Sequence, residues 1–129
     1  MNPAPGRARR LVVCALYGGV VAVLSLVPAR TFQELPEPFP GLDKICHFAL
    51  YGVFAWLILW ALRPAAAPGW RAAVAAILFC VAYGTLMECL QRVLPGGRSF
   101  SFGDIAANLL GAVLFAAARA AVGRTNPAR

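Results

Sequence analysis

Asp43, His47 and Tyr51 recur at every fourth position of Asp43-Lys44-Ile45-Cys46-His47-Phe48-Ala49-Leu50-Tyr51. On a helix that spacing puts the three side chains in one row on one face. The row carries the only histidine of the chain and descends into an apolar run. Polar groups buried there are costly without partners, so partners are required. Two further segments can supply them. Glu88, Gln91 and Arg92 close one apolar run, Arg98 follows in the turn Leu94-Pro95-Gly96-Gly97-Arg98-Ser99, and Asp104 and Asn108 open the next run. His47 or Glu88 can serve as an acid or base with Asp104 orienting it. Lys44, Arg92 and Arg98 can hold an anion, since arginine forks match phosphate and carboxylate.

Each residue also has a plainer explanation. Asp43 and Asp104 stand in first turns, where the helix dipole favours a carboxylate. Glu88 and Arg92 have the spacing of an i,i+4 pair. Lys44, Arg92 and Arg98 have the character of interfacial anchors that reach headgroups. His47 alone reads as a structural hydrogen-bonding residue. Together these polar side chains are too many for one end of a small bundle, and an intramembrane polar cluster is a functional hypothesis by default. A metal site of His47, Glu88 and Asp104 with Cys46 or Cys89 is set aside. The chain has one histidine and no CxxC or CxxH pair, so neither metal nor cofactor is expected. Cys14, Cys46, Cys80 and Cys89 read as small apolar residues.

The elements that must carry these groups are apolar helices. Of 129 residues, 60% are hydrophobic and 13% charged, too apolar for a soluble domain of this size. The net charge of +7 does not point to nucleic acid, because the basic residues lie between long apolar runs. Four spans are expected, at about 11–27, 43–62, 72–91 and 102–122, giving one all-α domain over 1–129, a four-helix transmembrane bundle. The basic arm before the first run is also the pattern of a signal peptide, but the run is long and Val27-Pro28-Ala29 is a poor cleavage site. Pro28, Pro36, Pro38 and Pro40 mark an extended loop. Ser101-x-x-Asp104 has capping-box spacing and starts the fourth helix at Ser101. Eight basic residues (Arg7, Arg9, Arg10, Arg63, Arg71, Arg119, Arg124, Arg129) fall on one side and four (Arg30, Lys44, Arg92, Arg98) on the other. The positive-inside rule then makes both termini cytoplasmic.

Helical rise puts His47, Glu88 and Asp104 at similar depth near the outer end. Beneath them run ridges of small residues, Ala76-Cys80-Gly84-Glu88 and Asp104-Asn108-Ala112-Ala116-Ala120. Ala15 with Gly19, and Gly18 with Ala22, have the same small-xxx-small spacing. Such ridges should face the bundle interior and bring the polar tops together.

Three spaced motifs resemble the VanZ-like family of small bacterial membrane proteins: Asp43-Lys44-x-x-His47-Phe48-x-x-Tyr51, Glu88-x-x-Gln91, and Arg98 followed by Asp104-x-x-x-Asn108-x-x-Gly111. The Ser25-Leu26-Val27-Pro28 exit from the first span fits as well, and Gly96-Gly97 lengthens the turn before Arg98. The family takes its name from a protein associated with reduced susceptibility to teicoplanin. The resemblance implies a bacterial cytoplasmic-membrane location, an envelope role, and a site drawn from Asp43, Lys44, His47, Tyr51, Glu88, Gln91, Arg92, Arg98, Asp104 and Asn108. It implies no particular reaction. Three readings stay open: recognition of an anionic headgroup or lipid-linked envelope molecule at the outer leaflet; an enzyme on such a substrate with His47, Glu88 or Asp104 as acid or base; and a structural or partner-binding bundle. The expected partners are membrane lipids and an anionic or lipid-linked ligand, with no nucleic acid.

Overall fold

The computed structural model describes residues 6–27, 39–62, 67–95 and 99–125. Among these the architecture is all-α: α1 (Arg7–Leu26), α2 (Leu42–Leu62), α3 (Trp70–Val93) and α4 (Phe102–Thr125), with no strand. The helices are 20, 21, 24 and 24 residues long. At about 1.5 Å per residue they reach roughly 30–36 Å, enough to cross a hydrocarbon layer of about 30 Å. All four are long and apolar enough to do so.

Several ends run past the expected spans. Helix α1 begins at Arg7, with Arg7 and Arg9 exposed and Arg10 partly buried. The Arg10 Nε donates to the Ala61 carbonyl at 3.4 Å, at the end of α2. Arg119, near the end of the expected span 102–122, lies inside α4, is 4% exposed, and stands 5.7 Å over the Trp56 ring. Most of the extended loop, residues 28–38, lies outside the described residues, as do Arg30, Arg63 and Arg98.

Neighbouring helices alternate in direction. Helix α2 packs most extensively against α4. The reason is small residues. A Cβ at Gly111 would collide with the backbone carbonyl of Phe48, so only glycine allows the two backbones this close. Gly84 on α3 is likewise pressed against the Asn108 side chain of α4. The ridge Ala76-Cys80-Gly84-Glu88 is buried along its length, as are Asp104, Asn108, Ala112 and Ala116. On α1 only one of the two expected small-residue pairs packs inward. Gly18 is buried against Phe54, whereas Ala15 and Gly19 are exposed. Leu16, Val23, Leu78 and Leu110 are also exposed and form the face offered to lipid.

Polar side chains tie α1 to the rest by capturing backbone carbonyls. Tyr17 OH donates to Leu50 at 2.9 Å, Tyr83 OH donates to Gly18 at 2.8 Å, and Gln91 Nε2 donates to Ser25.

Candidate functional site

Helices α2 and α4 both start at the same end of the bundle, so Asp43 and Asp104 sit in two first turns whose dipoles favour carboxylates. The Ser101 hydroxyl accepts from the Asp104 amide at 3.2 Å, the N-cap expected from the Ser-x-x-Asp spacing. The reciprocal half of the box is made differently. The Ser101 amide donates to Glu88 Oε2 of α3 at 3.1 Å. Glu88 thus takes the task that a box assigns to the carboxylate three residues on. The Asp104 carboxylate is thereby released toward α2.

There it has two neighbours. Lys44 Nζ donates to Asp104 Oδ1 at 3.3 Å, and Asp104 Oδ2 stands 3.7 Å from His47 Nε2. Asp43 Oδ1 approaches the same nitrogen to 3.9 Å. The other ring nitrogen, Nδ1, lies 3.1 Å from Asn108 Oδ1 and is read as the donor to it. One turn below, Tyr51 stacks parallel to the imidazole at 6.2 Å between centroids. Its buried hydroxyl lies near Ser25 without hydrogen-bond geometry. His47, Glu88, Asp104 and Asn108 are all buried, whereas the Lys44 side chain is 55% exposed. The group is a buried polar floor under an open cationic rim.

The structure brings Asp43, Lys44, His47, Asp104 and Asn108 into direct contact and joins Glu88 to them through Ser101. Gln91 is not part of this group, because its amide is spent on α1. Arg92 is exposed at the end of α3 and makes no ion pair among the described residues. Arg98 lies outside the described residues. Ser101 is the connecting residue whose second role spacing did not reveal: the capping signal marked its hydroxyl, and nothing local pointed its amide at Glu88. Atoms of ligand type from Asp43, His47 and Asp104 lie within 4.8 Å of one another.

Four apolar helices with a polar group buried at one end define a multi-pass membrane protein. A family model described as VanZ/LLP1 matches residues 7–121, and the chain belongs to that family. No curated protein and no solved structure matches it.

Proposed function

We propose that this protein recognises an anionic lipid headgroup or lipid-linked envelope molecule at the outer leaflet of the bacterial cytoplasmic membrane, with both termini in the cytoplasm. In a VanZ-like protein that role connects to glycopeptide, specifically teicoplanin, susceptibility. One observation carries the reading. Lys44 is pinned at one end by the buried Asp104 yet leaves more than half of its side chain open. A structural lock has little use for such a cation, since an exposed pair contributes about 0–1 kcal/mol. A ligand site needs it. Arg92 adds a second exposed cation at the same end, and two helix N-termini add partial positive charge. Arg98 is proposed as a third contact on the strength of its place in the family motif.

The enzymatic alternative has its own observation, a buried imidazole held by Asn108 beside two carboxylates. Charge removal at the rim and proton-transfer removal on the floor separate the two readings. Lys44→Ala and Arg92→Ala should weaken an envelope phenotype or a measured lipid interaction in a folded protein. Glu88→Gln keeps shape and removes proton transfer. If Glu88→Gln alone abolishes function while the rim variants do not, catalysis displaces recognition. If all three variants fold and function normally, the bundle is structural.

A further inference from the structure

We propose that Asp43, His47 and Asp104 form a binding site for one divalent transition cation of the Zn2+ or Mn2+ class. The sequence alone argues against metal, because it counts one histidine and has no CxxC or CxxH pair. The fold changes that count by bringing a carboxylate from α4 onto the Asp43–His47 turn of α2.

His47 is 8% exposed, and its Nδ1 is 3.1 Å from an oxygen acceptor, Asn108 Oδ1. With the proton on Nδ1, Nε2 presents a lone pair. That lone pair faces Asp43 Oδ1 at 3.9 Å and Asp104 Oδ2 at 3.7 Å. Both separations exceed a hydrogen bond. Three atoms of ligand type, Asp43 Oδ1, His47 Nε2 and Asp104 Oδ2, therefore converge on one small space that a single cation can bridge. The surroundings hold the ligands in the orientation a metal needs. Asn108 fixes the imidazole tautomer, as the outer partner of a metal-bound histidine does. Lys44 occupies only Oδ1 of Asp104, which leaves Oδ2 aimed at Nε2. Ser101 holds the Asp104 backbone. In a tetrahedral sphere with bonds of about 2.1 Å, ligand atoms stand roughly 3.4 Å apart, so the His–Asp separations need to close by only a few tenths of an ångström. One imidazole and two carboxylates suit Zn2+ or Mn2+ better than a soft ion, and three protein ligands leave a coordination position open.

This site stands apart from the headgroup reading, since its test needs no lipid. The full chain is purified in detergent with a tag that contains no histidine, stripped with chelator, and equilibrated with Zn2+ or Mn2+ alone. Elemental analysis reads stoichiometry. Pulsed electron paramagnetic resonance on the Mn2+ sample, in a nitrogen-free buffer, reads the coupling characteristic of a bound imidazole, and the only imidazole of the chain is that of His47. One equivalent per chain with an imidazole nitrogen signal is expected. Asp43→Asn and His47→Gln should reduce binding to background, and Asn108→Ala should weaken it by about 10–100-fold. Failure of both metals to bind above the Asp43→Asn background overturns the proposal, as does Mn2+ bound without nitrogen coupling. If His47→Gln fails to fold, the wild-type nitrogen signal decides alone.

Discussion

Gly84→Ala should disturb the Asp43–His47–Asp104–Asn108 contacts from α3, a helix that supplies none of those four residues. A Cβ at this position would press into Asn108 Nδ2 and stand 3.1 Å from Tyr51 Cε1. To regain an ordinary separation of about 3.5 Å, the Asn108 amide must retreat by roughly 1 Å. That movement stretches its 3.1 Å contact with His47 Nδ1 beyond hydrogen-bond length. Losing a buried hydrogen bond costs about 1–3 kcal/mol and overpacking costs a similar amount, so the expected loss is about 2–6 kcal/mol. The assay is denaturant unfolding in mixed micelles, with Gly19→Ala as control, since nothing lies within 4 Å of a Cβ there. A double-mutant cycle sharpens it. Asn108→Ala removes the obstacle, so Gly84→Ala should cost much less in that background, with a coupling of about 1–3 kcal/mol. If Gly84→Ala is as stable as the Gly19→Ala control, or if the two substitutions simply add, Asn108 is not wedged between Gly84 and His47 as described.

Further outcomes can be checked together. Gly111→Ala should prevent assembly, because its Cβ meets the Phe48 backbone carbonyl and only separation of α2 from α4 relieves the collision; yield of monodisperse protein reads this directly. Ser101→Ala should cost about 1 kcal/mol through the lost cap and loosen α4 at Asp104, seen as faster amide exchange at residues 102–105. Gln91→Leu should detach the end of α1, raising proteolysis near Ser25 while leaving the His47 contacts intact. Reporter fusions after residue 125 and within residues 63–71 should both read cytoplasmic, and an external reading at either place contradicts the proposed topology.

The helices were legible because apolar runs of membrane length leave few alternatives. The inward faces were legible where small residues recur every fourth position, as on α3 and α4. They were less so on α1, where Ala15-Gly19 and Gly18-Ala22 offer equivalent ridges and only packing against Phe54 selects the second. Matched depth put Glu88, His47 and Asp104 at one end, because helical rise is a fixed length per residue. The pairing within that end was not legible. Which amide Glu88 caps and which carbonyl Gln91 meets depend on helix rotation and crossing, and no local spacing encodes either. Arg119 shows the same limit: its charge marks only the side of the membrane it lies toward, while burial beside Trp56 depends on the neighbouring helix.

The central claim is that the rim cations recognise an anionic headgroup, and lipid retention tests it most directly. Purified protein would be taken into nanodiscs of phosphatidylglycerol mixed with phosphatidylcholine, then released and weighed with its bound lipids by native mass spectrometry. Wild-type protein should retain phosphatidylglycerol selectively, and Lys44→Ala combined with Arg92→Ala should lose that selectivity while remaining folded. Equal retention of both lipids by the wild type, or unchanged selectivity in the double variant, would contradict the claim.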